Sequence, residues 1–248
     1  MRLGIVIPTY NEKKNIKKIF QSFKKLKGIK YFICFVDGSP TNETQREIKK
    51  YFKKNFAIVR ERKKEIGFFT LSTRCAASFL GFKWILKNTK CNPIVDMDAD
   101  LSSNPLDIYK ALKIFDLKKV DLVIASKYLK KSKIVGRKLL RTFCSFIYSK
   151  CCKIFISNKI SDYSNGYRFF SRKALKDLVK IEKKYNSPSQ HLENLIFCFE
   201  KQYKIYEIPA TYIDTGKDSG SIKIGHLFIF AYQIFEILIR YKLKKLFY

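Results

Sequence analysis

Leu3-Gly4-Ile5-Val6-Ile7-Pro8-Thr9-Tyr10-Asn11-Glu12 is a near-continuous apolar run that stops at a proline and an asparagine, just before a helix-like segment from Lys13 to about Leu26. An unbroken apolar strand suits a parallel sheet covered on both faces, and the Pro and Asn end it at a crevice. Ligands of open parallel sheets bind beyond the carboxyl ends of the strands. A second strand, Tyr31 to Val36, ends at Asp37-Gly38-Ser39-Pro40, and a later one, Pro93 to Met97, ends at Asp98-Ala99-Asp100. Three strands therefore end in polar loops on one rim.

Asp98 and Asp100 have i, i+2 spacing at the end of a buried strand, so their carboxylates can converge on one hard divalent cation, which can hold a pyrophosphate. The ligand so indicated is a nucleotide diphosphate. Taken alone, an Asp-x-Asp is better explained by a solvated loop; its place on the same rim as the first strand's loop reverses that preference in favour of a site. Between and beyond these strands the pattern alternates. Helices are expected over about 43–54, 70–87, 104–115 and 187–201, and strands over 56–60, 121–126 and 204–209. Such alternation predicts parallel pairing with right-handed crossovers.

Four blocks carry a family resemblance: Ile7 to Glu12, Asp37 to Pro40, Met97 to Ser102, and Asp162-Tyr163-Ser164-Asn165-Gly166-Tyr167-Arg168. In this order, over roughly residues 1–220, they resemble glycosyltransferase family 2, in the branch of dolichol-phosphate mannosyltransferase and its polyprenyl-phosphate relatives. The resemblance implies a GT-A-like, Rossmann-like α/β fold with a mostly parallel sheet flanked by helices. It also implies that Pro8, Tyr10 and Glu12 line the base and ribose pocket, that Asp37 binds the base, and that Asp98, Ala99 and Asp100 face the nucleotide sugar. The donor would be a GDP- or UDP-sugar, and the acceptor a polyprenyl phosphate.

The chemistry assigns roles. A leaving nucleoside diphosphate needs its developing charge neutralised, which Mg2+ or Mn2+ can do as a Lewis acid. Asp100 is the first metal ligand, with Asp98 sharing the metal or facing ribose. A lipid phosphate acceptor is already an anion, so it needs placement more than a base. Arg137, Arg168 and the Lys217 to Lys223 segment offer the positive charge, and Asp162 orients Arg168 or contacts the sugar. An Asp162–Arg168 structural ion pair is the plainer alternative. A hydroxyl acceptor would need a base such as Asp162 or Glu193. Catalytic roles thus fall on Asp98, Asp100 and Arg168.

Some positions depart from the family pattern. Asp37 is single where paired acids are usual, Ser102 stands where a second metal-binding side chain is common, and Lys127 replaces an Arg. Lys127 would meet phosphate as a point charge without the bidentate fork. The late basic loop with Lys217 and Lys223 is only loosely similar to the family's.

The length, 248 residues, fits one domain or a domain plus a small appendage. We divide it into a catalytic domain, 1–222, and a C-terminal amphipathic helix, 223–248. The net charge of +30, from 51 Lys+Arg against 21 Asp+Glu, favours phosphates or an anionic membrane surface. A genome rich in Lys codons would produce the same balance. Nucleic acid is not expected, for lack of a recognisable binding module. Seven cysteines without a paired Cys-x-x-Cys support neither zinc nor a disulfide framework, and buried thiols fit a reducing cytoplasm. With the first strand at the N-terminus, no signal peptide is expected. The apolar run Leu227 to Ile239, followed by Arg240, Lys242, Lys244 and Lys245, is too short to span a bilayer and suits a helix lying on one. Phe143 to Ile156 could join that surface. The chain would then sit peripherally on the inner, cytoplasmic face of a membrane, although the same helix could pack on the domain or on a second subunit of a homo-oligomer.

Overall fold

The computed structural model describes residues 1–61, 73–181, 185, 187–214 and 224–247. The first half runs β1 (Leu3–Thr9), α1 (Lys13–Lys24), β2 (Tyr31–Asp37), α2 (Glu43–Tyr51), β3 (Phe56–Arg60), α3 (Thr73–Asn88) and β4 (Ile94–Asp96). Then follow α4 (Asp107–Lys118), β5 (Leu122–Ser126), β6 (Lys133–Val135), α5 (Leu139–Phe155), β7 (Arg168–Phe170) and α6 (Arg172–Leu178). The chain closes with α7 (Gln190–Glu200), β8 (Ile205–Pro209), β9 (Thr211–Ile213) and α8 (Ile224–Phe247).

A seven-stranded sheet has the order β3-β2-β1-β4-β7-β5-β8, and β6 pairs with β9 beside it. The sheet is mostly parallel, as expected, with one exception. Strand β7 lies antiparallel between β4 and β5, with Arg168 opposite Asp96 on one side and Ile124 on the other. Sequence reading missed it because three residues carry no strand period.

Both faces of the sheet are covered, which explains the unbroken apolar strands. Along β1, Leu3, Ile5 and Ile7 join the core that includes Ile16, Ile19 and Phe23 of α1, whereas Val6 joins the core on the other side with Phe82 and Ile85 of α3. This is the two-residue alternation of a strand meeting the i, i+3, i+7 spacing of a helix. Gly81 permits the closest approach: a Cβ there would come within 2.4 Å of Val6 Cγ1 and 2.9 Å of Val36 Cγ2. A mid-helix glycine costs about 1 kcal/mol of helix propensity, and here it allows α3 to seat against β1 and β2.

The expected domain boundary falls outside the described residues. Beyond it, α8 buries Gln233, Ile237, Leu238 and Tyr241, and its Gln233 Oε1 accepts from Ser187 Oγ at 2.6 Å and Ser189 Oγ at 3.1 Å. The helix is thus fastened by one face to the start of α7, while Tyr232, Phe235, Ile239 and Leu243 stay exposed. No helix among the described residues is long and apolar enough to cross a membrane.

Candidate active site

The carboxyl ends of β1, β2, β4 and β5 meet at one rim, joined by the start of the reversed β7. At the first loop Tyr10 is 48% exposed, and Pro8 is half-buried opposite Val36. Asn15 donates to Glu12 Oε2, and the Glu12 amide donates to Thr44 Oγ1 at 3.1 Å, so this loop is tied to α2. Asp37 lies fully buried beneath. Its Oδ1 accepts from Thr9 Oγ1 at 3.1 Å and Ser39 Oγ at 2.6 Å, and its Oδ2 accepts from Gln45 Nε2 at 2.9 Å. In this structure the Asp37 carboxylate braces the two loops.

The acidic turn after β4 leaves Asp98 and Asp100 part-exposed on either side of buried Ala99. Asp98 Oδ1 accepts from Arg74 Nε at 2.5 Å, and buried Asp96 accepts from Arg74 Nη1 at 3.1 Å and Ser78 Oγ at 3.0 Å. Arg74 and Ser78 stand one turn apart on α3, so one helix face serves both carboxylates. Burial pushes the Asp96 carboxyl up, against the pull of Arg74. Burial alone would lower the Arg74 guanidinium, but Asp96 and Asp98 outweigh it and keep it charged. Ala99 is buried, and Asp100 Oδ1 accepts the Ser102 amide at 2.9 Å. Leu101 follows with φ 61°, a left-handed conformation that a non-glycine residue holds only under constraint. The constraint is visible in the next residues: Ile213 N donates to Ser102 O at 2.8 Å, and Ser103 bridges Tyr212.

That stitching brings β9 to the basic side of the site. The Lys127 ammonium and the Arg137 guanidinium each lie 5.5 Å from the Tyr212 ring centroid. Arg137 donates to Ser145 Oγ at 3.0 Å, and its buried Nε has no hydrogen-bond partner among the described residues. Arg141, in the first turn of α5, pairs with Asp214 at 3.6 Å. Lys127 is buried, with its amide on Asp162 Oδ2 at 2.8 Å and its ammonium 4.0 Å away. Asp162 Oδ1 accepts from Ser164 N, Ser164 Oγ and Asn165 N at 2.9, 2.8 and 3.1 Å.

Arg168 is held by main-chain oxygens in this structure. It is 1% exposed and donates to the main-chain oxygens of Asn165, His191 and Tyr163 at 2.8, 2.6 and 3.0 Å. Nor do the described residues contain an Asp162–Arg168 ion pair, since Asp162 turns to Lys127. A guanidinium spent on three carbonyls braces the 162–168 loop against α7 rather than presenting itself to a phosphate. Lys217 and Lys223 lie outside the described residues. Glu193 is paired with Arg240 at 3.4 Å.

The glycosyl transferase family 2 model matches residues 4–179, which hold all four rim strands and the reversed one. The chain belongs to glycosyl transferase family 2. It is 28% identical over 211 residues to CsbB of Bacillus subtilis, a protein named as a glycosyltransferase, covering 83% of this chain and 58% of that one. It is 25% identical over 241 residues to the dolichol-phosphate mannosyltransferase of Pyrococcus furiosus, covering 96% and 64%. The chain thus spans less than two thirds of either relative. In fold it is similar to glucosyl-3-phosphoglycerate synthase from Mycobacterium tuberculosis, solved with Mn2+, UDP-glucose and phosphoglyceric acid. The TM-score is 0.63 at 14% identity, over 94% of this chain and 79% of that one. The GT-A-like fold expected from sequence is the fold observed.

Within this family member, sequence reasoning overlooked Arg74, Ser78, Arg141, His191 and Tyr212. Arg74 had one available signal, a cation just ahead of the mostly apolar Cys75 to Phe82 stretch. His191 had none. It abuts Gly166, where a Cβ would lie 3.0 Å from its Nε2, and burial together with Arg168, Arg74 and Lys127 holds its pKa well below the usual range.

Lys127 yields a pH test. Burial lowers its ammonium to about 8, although Asp162 pulls the other way. Unfolded, it would hold its proton to about 10.4. Between these limits the unfolded state binds more protons, so this residue's contribution to stability rises with pH. Urea unfolding of wild type and Lys127→Met at pH 7.5 and pH 10 should show wild type gaining on the variant by roughly 1 to 3 kcal/mol. A difference that stays constant with pH would show the ammonium is not desolvated.

Proposed function

We propose that this chain transfers a sugar from a nucleotide-diphosphate sugar to a polyprenyl phosphate, with inversion and with a divalent cation. One observation carries the choice of acceptor. The cationic side of the rim runs directly into an exposed apolar helix face: just past Arg137, α5 leaves Leu139 87%, Leu140 74% and Phe143 61% exposed, with Phe146 and Ile147 beyond. A lipid phosphate needs these two surfaces side by side, cations for its head and an apolar path for its chain. The similarity to a dolichol-phosphate mannosyltransferase supports the same reading.

The donor would lie along Pro8, Tyr10, Glu12 and the Asp98-Ala99-Asp100 turn, with Asp37 bracing that pocket. Asp98 and Asp100 would hold the metal, Mg2+ or Mn2+. Among the described residues no cluster of three or more His, Cys, Asp or Glu could hold an ion, which fits a site that two carboxylates begin and substrate phosphates complete. When bound, the cation neutralises charge on the leaving diphosphate. Lys127, Arg137 and Arg141 would place the acceptor phosphate, whose oxygen bonds to the anomeric carbon as the bond to the nucleoside diphosphate breaks. No proton has to move. A hydroxyl acceptor is the second reading, favoured by the phosphoglyceric acid in the solved neighbour. The bases it would call on are engaged, Asp162 by Lys127 and the loop amides and Glu193 by Arg240.

The same apolar face, continued by the exposed residues of α8, would seat the chain on the cytoplasmic leaflet. Lys242 links the two helices, its ammonium 5.1 Å from the Phe155 ring centroid. The deciding experiment offers the purified chain a panel of nucleotide sugars with Mg2+ or Mn2+, with and without polyprenyl phosphate. A lipid-linked sugar phosphate is expected, and transfer confined to saccharide hydroxyls would overturn the acceptor assignment. Leu140→Asp with Phe143→Asp should cut sedimentation with anionic liposomes about tenfold or more without lowering the melting temperature, since both side chains are already in solvent. Unchanged sedimentation would remove α5 from the membrane face.

A further inference from the structure

A groove of about 700 Å3 opens at the opposite end of the sheet, where β1, β2 and β3 begin. β1 runs seven residues from this end to the rim, roughly 20 Å, so the groove is no extension of the donor pocket. Four cations edge it: Arg2, Lys30, Lys53 and Lys54. Among the residues lining it there is no carboxylate. Arg2 is held in place, donating to Asn55 Oδ1 at 2.9 Å with its guanidinium 5.5 Å from the Phe32 ring centroid.

The floor is aromatic. Phe20, Tyr31 and Tyr51 are half-buried there, and the Phe20 and Tyr51 rings pack at 5.6 Å between centroids. Rings beneath and cations around ask for a ligand with a planar apolar body and an anionic end. The volume suits one small molecule of that kind. A second copy of the chain is a poor occupant, because at a net charge of +30 two copies repel.

We propose that this groove is a second ligand site, for a nucleoside phosphate, separate from the catalytic rim. The base lies on Tyr31, Tyr51 and Phe20, and the phosphates meet Arg2, Lys53 and Lys54. The proposal does not depend on the reaction assigned above. Equilibrium dialysis of ADP, GDP and UDP against the full chain tests it, using Asp98→Asn with Asp100→Asn to silence metal-dependent binding at the rim.

One saturable, metal-independent site is expected, with adenosine and inorganic pyrophosphate each binding at least about tenfold more weakly than ADP. Lys53→Glu with Lys54→Glu, both exposed at the groove's edge, should weaken that binding about tenfold. Lys173→Glu with Lys176→Glu makes the same change of net charge on α6 and should leave it unaltered. The proposal is overturned if no metal-independent binding occurs, if pyrophosphate alone binds as well as ADP, or if both pairs of reversals weaken binding equally.

Discussion

Asp100→Asn is expected to lower metal-dependent sugar transfer by about 10³-fold or more while moving the melting temperature by no more than a degree or two. The two effects separate because the side chain has two jobs. Its Oδ1 accepts the Ser102 amide, and an asparagine oxygen can accept the same bond, so the turn leading into left-handed Leu101 survives. The negative charge does not survive, and with it goes the attraction for a divalent cation. The measurement is initial rate against Mn2+ concentration, beside thermal unfolding of the same preparations. Wild-type metal dependence in the variant would take Asp100 out of the metal site. Asp98→Asn should behave differently, because it also weakens the Arg74 ion pair and so disturbs the start of α3.

Arg168→Ala should destabilise the protein by about 3–5 kcal/mol, since three buried carbonyls lose their donor and a large side-chain volume empties. Urea unfolding followed by circular dichroism reads this directly. Donor and acceptor binding should fail together, because the 162–168 loop that holds Lys127 through Asp162 loses its brace. A variant that unfolds like wild type and loses only the acceptor would restore Arg168 to the phosphate-contacting role read from the sequence.

The rim was legible because each of its loops follows an apolar strand and begins with a residue that strands avoid. Pro8 and Asn11, Asp37 and Gly38, and Asp98 and Asp100 are visible without any knowledge of pairing partners. What could not be read depends on contacts distant in sequence. Nothing near Arg168 says that its guanidinium meets the His191 carbonyl, 23 residues on. Arg74 reaches carboxylates 22 and 24 residues away. Strands β6 and β9, three residues each, offer no alternation, and their pairing places the Tyr212 ring centroid 5.5 Å from both the Lys127 and Arg137 cations. Burial of Asp37 follows from Gln45 and Thr9 closing over it, a packing outcome that its exposed-looking Asp-Gly-Ser-Pro setting conceals.

The reversed β7 also divides the labour of the chain. Everything proposed to hold the donor lies before residue 101, on strands that run one way, while everything proposed to receive the sugar lies after residue 126. A strand of three residues is the seam between them, contributing Phe169 and Phe170 to opposite faces of the core. Because its direction is opposite, its first residue rather than its last arrives at the rim, opposite Asp96 of the donor side, and the loop before it closes against Arg74, where a Cβ on Gly166 would lie 3.8 Å from the guanidinium. If the proposed roles hold, substitutions at Lys127 and Arg137 should change acceptor use while β1, β2 and β4 keep the donor loops in place, with the seam at β7 as the point where the two halves feel each other.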